Sequence, residues 1–262
     1  MEPGSVRATE HWEVTGATDV GRKREHNEDV FLIREDLGLF VVCDGMGGHS
    51  AGEVAAGMAA QTMAEFFERC EGDPECTWPF KPERGQDERE ARLGVAMKLA
   101  NRRIREAGEQ DALRRNMGTT AVAAWLSPRD AFVGWAGDSR AYLFRAGKLA
   151  QLTDDHSLVM DMVRAGRLSA AEAETFQYKN VITRAIEPSP TLEPEVKGVD
   201  VQPGDVLLLC CDGLHGMVSD AGMEKILGAD LALDRCARAL VDAANEGGGV
   251  DNITCVLVRR KP

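Results

Sequence analysis

The chain has 262 residues, of which 44% are apolar and 28% charged, as in ordinary globular proteins. Its formal net charge of −12 argues against nucleic acid and anionic membranes as partners, because an acidic surface repels phosphate groups. No apolar run is long enough to span a membrane and the N-terminus lacks an apolar signal core, so we expect a cytoplasmic protein without a membrane partner.

Short runs of aliphatic, β-branched and aromatic residues, bounded by Gly, Asp or Pro, predict strands. In chain order they cover residues 12–18, 30–33, 38–43, 119–126, 130–137, 140–145, 205–211 and 252–258. Helical periodicity predicts helices over residues 50–69, 87–109, 157–165, 169–175, 220–227 and 231–246. Ser169 and Ser219 are candidate N-caps, and residues 146–148 a tight turn. Because strands and helices each cluster along the chain, we expect an α+β fold rather than an alternating parallel sheet.

The stretch between the first two predicted helices, residues 71–90, is rich in Pro, Gly and charged residues and predicts a surface loop. Four of the seven cysteines lie within apolar runs and are predicted to be buried: Cys43, Cys210, Cys211 and Cys255. Cys70 and Cys76 flank the acidic start of the loop and could pair, but a reducing compartment favours free thiols.

Acidic residues stand at the ends of five apolar runs. Asp44, Asp138 and Asp212 follow runs, whereas Asp251 and the pair Glu28-Asp29 open them. Strand ends in one sheet lie side by side, so these carboxylates could converge on one edge, where a divalent cation would relieve their repulsion. Oxygen ligands favour Mg²⁺ or Mn²⁺ over Zn²⁺. A lone Asp-Gly after a strand is commonly only a turn, so the pattern by itself leaves both a turn and a two-metal site open.

Arg24 lies four residues before Glu28. A guanidinium beside a metal cluster could bind a tetrahedral phosphate through paired N–H donors. The alternative is a solvated arginine in the basic stretch 22–24.

Seven motifs in order make the chain resemble the metal-dependent protein phosphatases of type 2C, in their compact bacterial form. They are DVGRKREHNED (19–29), VVCDGMGGHSAGE (41–53), MGTTAVAAW (117–125), WAGDSRAYLFRAGKLAQLTDDHS (135–157), NVITRAI (180–186), GDVLLLCCDGL (204–214) and GGGVDNITCVLV (247–258). The resemblance implies a single catalytic domain over residues 12–260. It also implies a four-layer α-β-β-α sandwich of two antiparallel sheets flanked by helices.

The resemblance also implies residue roles. Asp44 would bridge two cations, Mn²⁺ or Mg²⁺, with the Gly45 carbonyl on the second and Asp212 and Asp251 completing the first. Asp138 would hold a weaker third ion with Asp212. Glu28 and Asp29 would bond metal-bound waters, and Arg24 would bind the phosphate.

The implied reaction is hydrolysis of phosphoserine or phosphothreonine in proteins by a metal-activated water, without a phosphoenzyme. His49 could protonate the leaving alkoxide or could only order its turn. His156 is expected to cap a helix or order a loop, and His26 and His215 to be incidental. The partners would be phosphorylated proteins and a serine/threonine kinase that the phosphatase opposes, and we expect a monomer. Two alternatives stay open: a non-catalytic binding module and a hydrolase of small phosphorylated metabolites.

Four features depart from the family pattern. Cys211 precedes Asp212 where a small hydroxyl residue is common, and Glu187 follows Ile186 where glycine is usual. Residues 176–179 lack the usual His-Pro, and the 71–90 loop is read as an insertion. The second and third departures touch residues 157–180, which correspond to the family's flap, so we expect them to affect substrate preference rather than chemistry.

Overall fold

The computed structural model describes residues 7–8, 10–47, 51–71, 73, 76–81, 87–127, 131–178 and 180–261. Its strands are β1 (Arg7–Ala8), β2 (Trp12–Asp19), β3 (Asp29–Arg34), β4 (Leu39–Met46), β5 (Gly118–Thr119), β6 (Ala121–Leu126), β7 (Ala131–Ala136), β8 (Arg140–Arg145), β9 (Lys148–Gln151), β10 (Glu195–Gly198), β11 (Val206–Cys210) and β12 (Ile253–Arg260). Its helices are α1 (Ala51–Cys70), α2 (Glu88–Gln110), α3 (Leu158–Arg164), α4 (Ala170–Glu174), α5 (Asp212–His215), α6 (Asp220–Leu227) and α7 (Leu233–Glu246).

The strands pair antiparallel in two stacked sheets. One sheet has the order β1-β2-β12-β11-β8-β9, and the other the order β10-β7-β6-β4-β3, with β5 added to β4. Apolar side chains fill three spaces: between α1–α2 and the second sheet, between the two sheets, and between the first sheet and α6–α7. The layers confirm the predicted α-β-β-α sandwich.

The period of two along each strand decides which side chains enter the space between the sheets. In β4, Phe40 and Val42 enter it, and Asp44 is the next residue with the same orientation. At the end of β11, Leu209 and Cys211 face the same space. One end of the apolar core between the sheets is therefore formed by polar and ionisable side chains.

Helix caps and one turn follow the predictions from local sequence. The Ser219 hydroxyl accepts a hydrogen bond from Gly222 N–H at the start of α6, and Ser169 forms a complete capping box at α4. The β8–β9 turn has positive φ at Ala146 and Gly147, as a tight hairpin turn requires. Among the described residues, no helix is both long and apolar enough to cross a membrane.

The segment between α1 and α2 differs from its prediction in one covalent bond. Cys70 and Cys76 form a disulfide, so the expectation of free thiols is wrong. A turn in which Cys76 N–H donates to the Asp73 carbonyl brings the two Cα atoms to 5.2 Å, within the range that a disulfide spans. The segment is also not purely a surface loop, because Trp78 and Phe80 pack against the core beneath α1 and α2.

Candidate metal centre

A cleft of about 380 Å³ opens where strands of both sheets end. Its described lining is Arg24, Glu28, Asp44, Gly45, Met46, Gly47, Asp138, Asn180, Ile182, Asp212, Asp251 and Asn252. All of the predicted acidic residues except Asp29 therefore line one cleft, with Arg24 among them. The prediction of a single sheet edge is wrong, because β4 belongs to one sheet and β11 and β12 to the other.

Asp44 lies within β4 rather than at its end, contrary to the sequence pattern. The strand continues through Met46 because Gly45 and Met46 pair with β5. The backbone N–H of Thr120 and the hydroxyl of Thr119 both donate to the Asp44 carbonyl at 2.9 Å. These bonds hold the Asp44 backbone beside the cleft that this residue lines.

Glycine is required at position 45 because neighbouring backbone leaves no room for a Cβ, and not because of a positive φ. A Cβ at this position would lie 2.3 Å from the Gly52 carbonyl oxygen and 2.6 Å from the Glu28 carbonyl oxygen. The start of α1 and the residue before β3 therefore pack directly on the backbone of β4. Asp29, the first residue of β3, is the cross-strand partner of Asp44 and lies behind it.

Asp138 and Asp212 approach from the two turns beside β8 and β11. Asp212 is the first residue of α5, and Asp138 follows Gly137, whose φ is +119°. The His215 Nε2–H donates to the Asp138 carbonyl at 3.0 Å, which joins the two turns. Burial, helped by the charge of Arg140, lowers the pKa of His215 to about 4, so this imidazole stays neutral. The expectation that His215 is incidental is therefore wrong.

Asp251 and its neighbour Asn252 connect the start of β12 to the segment before β3. Arg24 donates to the Asp251 carboxylate at 2.7 Å. The Asn252 amide donates to the carbonyls of Val20 and His26, and its oxygen accepts Glu28 N–H. No role was predicted for Asn252, although a polar residue directly before an apolar run is the signal that could have drawn attention to it.

His156 orders a loop, as expected, and the loop is the one next to Asp138. The Nδ1 atom accepts Gly137 N–H at 3.2 Å, and Nε2 lies 2.9 Å from the Glu195 carboxylate. Both ring nitrogens therefore have polar partners, which hold the ring against this loop. The proposed general acid His49 lies outside the described residues.

Each carboxylate at this cleft disfavours ionisation of the others, so their pKa values are raised. Burial, together with the charges of Asp212 and Asp251, raises the pKa of Asp29 to about 7. Burial and the Asp212 charge raise the pKa of Asp138 to about 7. The pKa values of Asp44 and Asp212 are raised by burial first and by neighbouring carboxylates second.

Several buried carboxylate oxygens here have no hydrogen-bond partner. They are both oxygens of Asp29, Oδ1 of Asp138 and Oδ1 of Asp212. Such groups are costly unless a cation or donor satisfies them, and Arg24, the cationic residue of the described lining, bonds Asp251 instead. An oxygen-only set of this kind fits hard divalent cations such as Mg²⁺ or Mn²⁺.

Comparisons with known proteins point to one family. The model of the family described as Protein phosphatase 2C matches residues 19–243. The Listeria innocua serine/threonine phosphatase stp is 38% identical over 246 residues, 93% of this chain and 94% of that protein.

Two solved structures are similar over nearly their whole length. The Mycobacterium tuberculosis serine/threonine phosphatase PstP/Ppp has a TM-score of 0.83 at 30% identity and covers 96% of this chain and 100% of its own. The catalytic domain of PstP in complex with two manganese ions has a TM-score of 0.80 at 30% identity, covering 96% and 99%.

Proposed function

Because the chain belongs to the protein phosphatase 2C family, we propose that it hydrolyses phosphoserine and phosphothreonine in proteins with divalent cations as cofactors. The observation that carries the proposal is the convergence of Asp44, Asp212 and Asp251 with Arg24 at one cleft. The names of the similar proteins, which are serine/threonine phosphatases, give the substrate class.

The ligand roles follow the family pattern. Asp44, the Gly45 carbonyl, Asp212 and Asp251 would hold two cations, Mn²⁺ or Mg²⁺, and Asp138 with Asp212 would hold a weaker third. The similar PstP structure contains two manganese ions, which supports a site for two cations here. When bound, the cations supply Lewis-acid chemistry that activates water near neutral pH and neutralises phosphate charge.

The chain's own residues bind and orient the phosphate. Arg24 donates to its equatorial oxygens; a guanidinium has five N–H donors, so its bond to Asp251 leaves others for phosphate. Glu28 and Asp29 accept hydrogen bonds from water at and behind the cleft floor. His49 gives a proton to the leaving alkoxide or, alternatively, only orders its turn.

No nucleophilic side chain is needed in this mechanism. The five free cysteines are all buried, and burial raises the thiol pKa of Cys43 to about 12. In the proposed mechanism, water rather than a side chain would attack phosphorus. In the cell, the substrates would be proteins modified by a serine/threonine kinase in the cytoplasm, with the phosphatase acting as a monomer.

The test is hydrolysis of phosphoserine, phosphothreonine and phosphotyrosine peptides with Mn²⁺, with Mg²⁺ and with EDTA. We expect turnover of the first two peptides that EDTA abolishes. Asp212→Asn should lower kcat/KM by roughly a hundredfold or more, since even residues that only orient metal ligands are worth 10–100-fold. The matched control is Asp230→Asn, an exposed aspartate that does not line the cleft.

Three outcomes would overturn the proposal. Unchanged Mn²⁺-dependent turnover by Asp212→Asn would exclude the assigned metal centre. Faster hydrolysis of nucleotides or sugar phosphates than of peptides would favour a metabolite hydrolase. Tight binding of a phosphopeptide without turnover at any metal concentration would favour a binding module.

A further inference from the structure

A groove runs along α2 and shares no residue with the described lining of the metal-centre cleft. It consists of two adjoining cavities of about 440 Å³ and 260 Å³, which have Phe80, Lys98 and Glu193 in common. The α2 residues that line it extend from Ala91 to Arg105, about 21 Å along the helix axis. This α2 groove is long enough for about six residues of extended peptide.

The charge of the α2 groove is opposite to that of the whole chain. The chain has 31 lysines and arginines against 43 aspartates and glutamates, whereas cationic side chains outnumber carboxylates in the described lining of the groove. The cationic residues are Lys81, Lys98, Arg102, Arg105 and Lys197, and the acidic residues are Asp154, Glu193 and Glu195. Basic residues gathered in a concave place on an acidic protein attract an anionic partner.

The carboxylates of this lining already have cationic partners. The pairs are Glu193 with Lys98 at 2.8 Å, Glu195 with Arg184 at 3.2 Å and Asp154 with Arg164 at 3.7 Å. Their negative charge is therefore largely balanced before any ligand arrives. An incoming anion meets the remaining cationic groups with little repulsion from the lining.

Contacts with aromatic rings hold two of the cationic groups at the groove. The Arg102 guanidinium lies 5.6 Å from the centroid of the Phe80 ring, and the Lys197 ammonium lies 5.6 Å from that of a Trp135 ring. A cation over an aromatic face is attracted by the ring electrons, and this contact uses none of its N–H donors. Both groups are therefore ordered and can still donate hydrogen bonds.

Arg105 gives the clearest sign that an acceptor is missing. Its Nε–H is buried and has no hydrogen-bond partner among the described residues. Its ion pair with Glu109 is 3.7 Å long, and that of Arg102 with Glu106 is 3.8 Å long, both beyond hydrogen-bond distance. Because such partly exposed pairs are weak, both guanidiniums can exchange them for a better-placed carboxylate.

We propose that the α2 groove binds an extended segment of a protein partner that is rich in Asp and Glu. Carboxylates along this segment meet Lys81 and Lys197 in one cavity and Arg102 and Arg105 in the other. A guanidinium can bind a carboxylate through two parallel N–H donors, so the two arginines are the stronger contacts. Nucleic acid has the same sign of charge, but the net charge of −12 repels its long phosphate backbone, whereas a short acidic segment touches the groove alone.

The α2 groove is connected to the metal centre by one short stretch of chain. Ile186 pairs with Thr119, whose hydroxyl donates to the Asp44 carbonyl, and Thr191 lines the groove five residues later. Five residues span at most about 18 Å, so one protein can occupy the groove and the cleft together.

This connection has a consequence for substrate selection, and the consequence alone rests on the proposed function. A phosphoprotein with an acidic segment near its phosphorylated residue is held at two places, so its KM is lower at an unchanged kcat. Binding of the acidic segment itself does not depend on phosphatase activity.

The test is fluorescence anisotropy with a labelled Glu-rich peptide of about six residues that carries no phosphate. EDTA is present, so the peptide cannot bind through metal ions in the cleft. The comparison peptide carries the same label and has Gln in place of every Glu. We expect saturable, salt-sensitive binding of the Glu-rich peptide only. The double variant Arg102→Gln, Arg105→Gln should raise its Kd by about 5–30-fold, while glutamine keeps the helix propensity of α2.

The matched control is the double variant Arg235→Gln, Arg238→Gln. These exposed arginines of α7 have the same spacing and lie on the opposite side of the sandwich, so the control removes the same charge elsewhere. It should leave the Kd unchanged, and urea unfolding shows that both variants are folded.

Four outcomes would overturn the proposal: no binding of the Glu-rich peptide, equal binding of the Gln peptide, equal weakening by both double variants, or tighter binding of a single-stranded oligonucleotide of the same length. A Mn²⁺-dependent assay on a phosphopeptide without acidic residues tests the proposed function separately, so the two failures are distinguishable.

Discussion

Asn252 is the residue that links the start of β12 to the segment carrying Arg24. Its single amide group makes hydrogen bonds to Val20, His26 and Glu28, which lie more than 220 positions earlier in the chain. All three partners are backbone groups, so a different side chain in the 20–28 segment would leave these bonds intact. The amide therefore helps to position Arg24 in the cleft, together with a backbone hydrogen bond between this segment and the turn before β12.

Asn252→Ala should reduce both stability and catalysis. Loss of three hydrogen bonds at a buried residue should lower the free energy of unfolding by about 2–3 kcal/mol. The displaced Arg24 should lower kcat/KM on a phosphopeptide by roughly 10–100-fold. Urea unfolding and steady-state kinetics measure the two effects.

The matched control is Asn101→Ala. Asn101 is equally buried, donates to the Ser189 carbonyl and accepts Glu187 N–H, but does not line the cleft. It should lose similar stability and keep its kcat/KM at a temperature where both variants are folded. A similar fall in kcat/KM for both would show that Asn252 acts only through stability.

The sequence pattern predicted the acidic residues of the cleft better than it predicted the residues that hold them in place. Asp44, Asp138 and Asp212 are visible because a carboxylate interrupts or ends an apolar run. Asn252 and His215 hold backbone carbonyls of residues that are distant in the sequence, so no local pattern marks them. The ligand assignments stay predictions, supported by family membership rather than by pattern alone.

Helix α1 shows how an element is fitted to the strand beneath it. Gly52 stands at its start, where an added Cβ would lie 2.6 Å from the Glu28 carboxylate and 2.7 Å from the Gly45 carbonyl carbon. Gly57 stands one and a half turns later, where an added Cβ would meet nothing within 4 Å. Helix propensity treats the two glycines alike, whereas packing does not.

Gly52→Ala and Gly57→Ala should therefore change stability in opposite directions. Gly57→Ala should raise the free energy of unfolding by about 1 kcal/mol through helix propensity. Gly52→Ala should lower it by about 1–3 kcal/mol through overpacking, and should weaken Mn²⁺ binding because Gly45 must shift. Urea unfolding with EDTA and calorimetric Mn²⁺ titration measure these effects. Stabilisation by both substitutions would contradict the packing argument.

The predicted element boundaries were wrong where pairing with a distant segment determines the real ones. β4 runs on to Met46 only because β5 pairs with it, and β10 is a strand because it pairs with β7. The local periodicity of residues 38–43 and 195–198 predicts neither pairing. The strongly periodic helices, such as the one predicted over 220–227, matched the structure.

At the scale of the whole molecule, the residues of the candidate metal centre come together only when the two sheets stack. Asp29 and Asp44 come from one sheet, whereas Asp212 and Asp251 flank strands of the other. Folding therefore buries carboxylates against one another, and part of the free energy of burying the core between the sheets opposes this repulsion. The stability of the fold and the occupancy of the metal centre are thereby linked.

This linkage predicts a stability that falls with rising pH when metal is removed. Asp29 and Asp138 have native pKa values near 7 against an ordinary value of 3.8. Between pH 4 and 7 the native state thus holds more protons than the unfolded state, and its stability decreases as pH rises through this range. The decrease should be up to about 5 kcal/mol for the two groups together, measured by urea unfolding in EDTA at pH 5 and pH 8.

Mn²⁺ should reverse the trend, because the cation replaces the protons and binds better to ionised carboxylates. At a hundredfold excess over its dissociation constant it should add about 2.7 kcal/mol at pH 8 and much less at pH 5. The control is the Asp29→Asn, Asp138→Asn double variant, whose unfolding free energy in EDTA should depend less on pH than that of the wild type. Equal pH dependence of the two proteins would mean that the self-repulsion of the net charge of −12, and not these buried carboxyls, sets the trend.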